Sequence, residues 1–123
     1  MRALIIDDSS SMRMLLGRIL DDMGVAHSQA GDGREGLEVL EREGPFDFGL
    51  VDWQMPVMDG IQFVRAARQR HDSEAIKLVM VTSVNQIECV VEALEAGADE
   101  YIMKPFTKEA LTEKLALLGI ELS

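Results

Sequence analysis

Five short apolar runs alternate along this chain with five segments of helical spacing, and that alternation restricts the fold more than any other feature. Leu4, Ile5 and Ile6 form a continuous apolar run, the pattern of a strand buried on both faces. Met12, Leu15, Leu16, Ile19, Leu20 and Met23 then recur at helical spacing until Gly24 stops them. A second strand is predicted over 25–30, and a short helix over 34–42, carrying Leu37 and Leu40 and closed by Gly44 and Pro45. The alternation continues with strands over 48–51 and 78–81 and helices over 61–70 and 86–96, the last ended by Gly97. A short strand over 101–103 precedes the final helix, which Thr107 caps and whose inner face carries Leu111, Leu115 and Leu118.

Strands that alternate with helices imply a parallel sheet, because right-handed crossovers put helices on both faces and bury the strands. With 123 residues, 47% of them hydrophobic, the chain is expected to be one α/β domain over 1–123 with one core. If the strand order is 2-1-3-4-5, the flavodoxin-like doubly wound arrangement, the topology reverses between the first and third strands. Those strands end at Asp7, Asp8 and Asp52.

Charge excludes several partners. A net charge of -10, with no cluster of Lys or Arg to offset it, repels nucleic acid and anionic lipid. The lone Cys89 forms no internal disulfide and fits a reducing cytosol, as an inert buried thiol. The apolar run at 3–6 is too short for a signal peptide core or a membrane span, so a soluble, cytoplasmic protein is expected.

Asp7, Asp8, Asp52, Thr82 and Lys104 each stand just past an apolar run, so a parallel sheet brings all five to the edge where open α/β sheets bind ligands. Crowded carboxylates repel, and one of them holds its proton tightly unless a cation neutralises the group. Mg²⁺ suits such oxygen ligands. The plainer alternative is that Asp7 and Asp8 only cap the first helix.

The Asp7-Asp8 pair, Asp52 with the loop Trp53-Gln54-Met55-Pro56-Val57-Met58-Asp59-Gly60, Thr82, and Lys104-Pro105 together resemble the receiver domain of two-component response regulators. The likeness runs over 4–118, and the loop is nearest in pattern to the single-domain chemotaxis regulators. The resemblance implies that Asp52 accepts a phosphoryl group from a histidine kinase or a small acyl phosphate. It implies Mg²⁺ held by Asp8 and Asp52, by Asp7 through water, and by the backbone carbonyl of Gln54. Lys104 becomes a second cation, aimed by a cis bond to Pro105. Thr82 and Tyr101 become the switch pair, the hydroxyl moving to the phosphoryl group and the aromatic turning inward.

By the same resemblance the output face is the fourth helix, fifth strand and fifth helix, with Ile87, Val90, Tyr101 and Met103 meeting a downstream effector. In a chemotaxis setting that effector is the flagellar motor switch. On the fourth helix Val91 and Leu94 are expected to point inward, leaving Ile87, Cys89 and Val90 as surplus apolar width. The protein is expected to be a monomer that catalyses only its own phosphorylation and dephosphorylation. Gln54 and Val84 stand where the family tunes phosphoryl lifetime, and both differ from the chemotaxis regulators.

Three rivals stand beside this reading. Gly31-Asp32-Gly33-Arg34-Glu35-Gly36 matches a dinucleotide-binding pattern, although Asp32 and Glu35 put negative charge where a pyrophosphate must sit. A small aspartyl-phosphate phosphatase shares the acid, hydroxyl and lysine chemistry, yet such enzymes usually carry an Asp-x-Asp nucleophile. A receiver excised from a longer DNA-binding regulator is the third. His27 and His71 have no second ligand at metal spacing and are read as surface or strand residues.

Overall fold

The computed structural model describes residues 1–70, 76–83 and 88–121. The elements are β1 (Arg2–Ile6), α1 (Ser10–Asp22), β2 (Ala26–Ala30), α2 (Gly33–Glu43), β3 (Phe48–Asp52), α3 (Gly60–Arg68), β4 (Lys77–Thr82), α4 (Cys89–Ala96), β5 (Glu100–Met103) and α5 (Lys108–Leu117). All five strands are parallel in the order β2-β1-β3-β4-β5. The doubly wound arrangement is therefore present, with its reversal between β1 and β3.

The sheet divides the apolar interior into two layers where the sequence suggested one core. Leu4, Ile6, Val51, Leu78 and Met80 pack with Val39 and Leu40 of α2, Ile61, Phe63 and Val64 of α3, and Ala93 of α4. Ala3, Ile5, Phe48, Leu50, Val79 and Val81 pack on the other side with Leu16 and Leu20 of α1 and Leu111 and Leu115 of α5. The division follows from the two-residue period of a strand, which sends successive side chains to opposite faces. Burying Phe48 or Phe63 completely stabilises the fold by roughly 1.5–3 kcal/mol each.

Local signals set the helix ends. Ser9 caps α1, its hydroxyl accepting the Met12 N–H at 3.2 Å, and Gly24 turns the chain out of that helix at φ 74°. Asp32 caps α2 and Thr107 caps α5 through the N–H groups of Glu35 and Ala110. Two of the three glycines of the suspected dinucleotide motif, Gly33 and Gly36, are packing positions. A Cβ at Gly36 would stand 2.6 Å from Cδ1 of Ile6, and one at Gly33 would stand 2.7 Å from the Met58 carbonyl oxygen.

The fourth helix departs from expectation. Val91 and Leu94, predicted to point inward, are 62% and 42% exposed, and the small Ala93 is the buried contact. The helix packs chiefly on α3 and β4, and only the narrow stripe that carries Ala93 is buried there. The described helix begins at Cys89; residue 86, the predicted start, together with Ile87, Val84 and His71, lies outside the described residues. Cys89 is half-buried rather than buried, and burial, then the charges of Glu92 and Glu88, raise its pKa away from the reactive thiolate. No helix among the described residues is long and apolar enough to cross a membrane.

At the edge away from the strand ends, Arg68 ties three segments together. Its guanidinium donates to the carbonyls of Gly97 and Ile76, both at 2.9 Å, and to Oδ2 of Asp99 at 2.6 Å. Asp99 Oδ2 also accepts the Leu78 N–H at 2.8 Å, so α3, β4 and the turn into β5 share one charged clasp.

Candidate functional site

β1 is hydrogen-bonded on both sides, and its last pairing carries Asp7 into the crevice, the Asp7 N–H donating to the Ala30 carbonyl at 3.1 Å. The side chain is almost fully buried. Oδ1 accepts the Ser9 N–H at 2.9 Å, and Oδ2 is buried with no hydrogen-bond partner. Arg13 of α1 donates to the main-chain carbonyl of Asp7, which fixes the backbone of the residue.

Asp52 ends β3 beside Val81 of β4 and is 7% exposed. Asp8 is exposed at the rim. One carboxylate oxygen from each of Asp7, Asp8 and Asp52 lies within 4.8 Å of the others. The structure therefore joins the three acids that the sequence placed together, and assigns the helix cap to Ser9 instead of to either member of the pair.

Proximity and burial act on the protons. Burial, then the charge of Asp7, push Asp52 up to about 6, against the pull of Lys104 and of the Trp53 N–H. Burial also raises Asp7, opposed mainly by its hydrogen bond from Ser9. Lys104 Nζ stands 3.4 Å from Asp52 Oδ1. Its main-chain N–H bonds the Thr82 carbonyl at 2.7 Å, and the Lys104–Pro105 bond is cis. Gly44–Pro45 is cis as well, which the sequence did not suggest.

The loop after Asp52 is held from several sides. The Gly60 N–H donates to the Trp53 carbonyl at 2.9 Å, and a Cβ at Gly60 would stand 2.3 Å from the Asp52 carbonyl oxygen. Only glycine permits that approach. The Met58 N–H closes on the Pro56 carbonyl at 2.7 Å around Val57, whose φ of 69° strains a β-branched residue by roughly 1–3 kcal/mol. Asp59 and Gln62 form a reciprocal cap on α3, while the Gly33 N–H holds the Met58 carbonyl at 3.1 Å. Asp8, Trp53, Gln54, Met55, Pro56 and Asp59 line the open depression that results.

Thr82 ends β4 and is buried, its hydroxyl donating to the Ser83 carbonyl at 3.2 Å. Met80 pairs with Tyr101 and Thr82 with Met103, so the two-residue period puts Thr82 and Tyr101 on the same face of the sheet as diagonal neighbours. Tyr101 is half-buried; Val90 is half-buried and Met103 is 36% exposed, so the described part of the expected partner face is open. His27 lies on β2 with Nε2 3.0 Å from Asp21 Oδ1, away from the acids.

Several contributors to this neighbourhood carry no sequence signature. Arg13 and Lys114 lie on helices whose spacing marks them only as exposed charges, and their contacts require the tertiary fold. The donor set suits a hard divalent cation, since it is all oxygen, it is crowded, and the buried Oδ2 of Asp7 lacks a hydrogen-bond partner. The acidic cluster could hold a metal.

A doubly wound five-stranded sheet with a carboxylate cluster at its switch point defines a ligand site in the crevice, of the class that binds at strand ends. The chain belongs to the response regulator receiver domain family, whose model matches residues 3–116. It is 40% identical over 116 residues to chemotaxis protein CheY-3 of Vibrio cholerae, covering 94% of this chain and 88% of that protein. To the chemotaxis protein CheY of Pseudomonas aeruginosa it is 39% identical, covering 94% and 93%. Among solved structures, V. cholerae CheY4 matches with a TM-score of 0.83 at 34% identity, covering 96% and 95%. The receiver domain of NtrX from Brucella abortus matches with a TM-score of 0.84 at 28% identity, covering 98% and 99%. Receiver domains of this kind are signalling switches of two-component systems, not classical enzymes.

Proposed function

We propose that residues 1–123 form one receiver unit in which Asp52 takes a phosphoryl group from the phosphohistidine of a sensor kinase and passes the signal to a protein partner. The observation that carries this reading is the buried Asp52 carboxylate beside Asp7 and Asp8, with the Lys104 ammonium 3.4 Å from its Oδ1. A carboxylate oxygen of Asp52 forms the new bond to phosphorus as the bond to the donor nitrogen breaks. Lys104 then shifts its charge from the carboxylate to the incoming phosphoryl oxygens. Asp8 and Asp52, with Asp7 and the backbone carbonyl of Gln54, are the residues that would hold Mg²⁺. When bound, the ion supplies positive charge for the phosphoryl oxygens and relieves the repulsion among the acids.

Thr82 is the residue that senses the phosphoryl group, turning its hydroxyl from Ser83 toward Asp52, and Tyr101 follows on the same face of the sheet. The surface of α4, β5 and α5 then meets the effector. The two chemotaxis relatives favour a chemotaxis-type pathway with a motor-switch partner, and the NtrX receiver favours a receiver taken from a longer regulator. The phosphatase alternative has less support, since the site acids are adjacent residues.

Incubation with a small acyl phosphate and Mg²⁺ tests the assignment. Wild-type protein should take up at most one phosphoryl group and Asp52→Asn none. Uptake by Asp52→Asn at the wild-type rate would remove Asp52 from the role, and sustained turnover of unrelated phosphomonoesters would favour the phosphatase.

A further inference from the structure

We propose that Lys114 of α5 is the positioning residue that holds the Tyr101 ring, and that its release is a step of the switch. This rests on the reading of Tyr101 as the moving aromatic. Lys114 Nζ lies 4.5 Å from the centroid of the Tyr101 ring, within the roughly 6 Å over which a ring face attracts an ammonium. The same Nζ stands 3.4 Å from Oε1 of Glu100. That oxygen also accepts the main-chain N–H of Tyr101 at 3.0 Å. One carboxylate thus ties the ammonium to the backbone of the residue whose ring the ammonium covers.

The position of β5 makes this clasp possible. It is an edge strand, so one side lacks a ladder partner, and Glu100 supplies the acceptor for Tyr101 there. The Lys114 and Glu100 side chains are 29% and 22% exposed, so water only partly screens the contact. In this arrangement the Thr82 hydroxyl faces Ser83, and Lys114 therefore favours the state in which Thr82 is turned away from Asp52. Rotation of the ring gives up the ammonium contact and leaves the Glu100–Lys114 pair in place. A two-state equilibrium responds to whatever favours one state over the other, and this contact favours only one.

The test uses the full chain with Mg²⁺ and beryllofluoride as the phosphoryl analogue. The single tyrosine, labelled as 3-fluorotyrosine, gives one fluorine resonance that reports the ring, and Trp53 fluorescence gives the analogue midpoint. Lys114→Met should lower that midpoint about three-fold, Glu100→Gln should lower it less, and Lys114→Arg should leave it at the wild-type value. An unchanged midpoint in Lys114→Met, or an equal change in Lys114→Arg, would overturn the proposal. If the analogue binds wild-type protein but the fluorine resonance does not respond, Tyr101 is not the moving residue and both readings fall. Should Lys114→Met not fold, Glu100→Gln alone decides, with an unchanged midpoint counting against the clasp.

Discussion

The Lys104 ammonium stands 3.4 Å from Oδ1 of Asp52, yet burial and the Asp7 charge still push the Asp52 carboxyl up to about 6. One cation does not balance the acids that the fold collects at this sheet edge.

Stability of the metal-free protein should therefore fall as pH rises from about 4 to about 6. The unfolded chain loses the Asp52 proton near the ordinary value of 3.8, while the folded chain keeps it to about 6, so the folded state binds more protons in that window. The loss should be on the order of 2–3 kcal/mol. Asp7, also raised by burial, acts in the same direction. Urea unfolding in the presence of a chelator, at several pH values, measures it. Asp52→Asn should flatten the slope and be the more stable protein above about pH 6.

Mg²⁺ should raise the unfolding temperature of the wild-type chain. At a hundred times the dissociation constant the gain is about 2.7 kcal/mol. Asp8→Asn should lose most of that gain, while without metal it should be as stable as wild type or more so, since it removes one of three crowded charges. Trp53 fluorescence should follow the same titration. A wild-type chain indifferent to Mg²⁺ in both measurements would count against the metal site.

Gly60→Ala should cost about 2–4 kcal/mol, because its Cβ would lie 2.3 Å from the Asp52 carbonyl and the neighbour is backbone that cannot rotate away. Chemical denaturation reads the loss. The same substitution should slow phosphoryl uptake, since relief of the clash displaces Asp52. Full stability with normal uptake would show that the loop can move aside.

Arg68→Ala should destabilise the fold by about 2–3 kcal/mol through the carbonyls of Gly97 and Ile76 and the carboxylate of Asp99, which lose their donor. Mg²⁺ affinity should hold at the wild-type value, because the clasp lies at the opposite edge of the sheet. An affinity change of ten-fold or more would indicate coupling between the two edges.

The strand–helix alternation and the gathering of the three acids were legible because both follow from short-range pattern, whereas the strand order entered as a condition that the family resemblance supplied. Apolar runs mark the strands, and the polar residue that ends each run must emerge at the same edge. Helix α4 was misread because apolar residues at helical spacing do not say which stripe of the helix its neighbours α3 and β4 cover, and Val91 and Leu94 are left exposed. The Arg68–Asp99 clasp and the Lys114 contact with Tyr101 join residues distant in the chain, where no local period carries a signal. Val57 was equally hidden, since its left-handed φ belongs to a position where glycine or asparagine would be the usual choice.

Ser9 bonds in both directions, its hydroxyl holding the Met12 N–H in the first turn of α1 and its own N–H held by Oδ1 of Asp7. The acid cluster and the first helix are therefore joined through one residue, and Arg13 adds a second tie at the Asp7 carbonyl. A change of charge at Asp7 thus has a direct route to the first turn of α1. Because α1 packs in the same layer as α5, that route leads on to the helix that carries the clasp at Lys114.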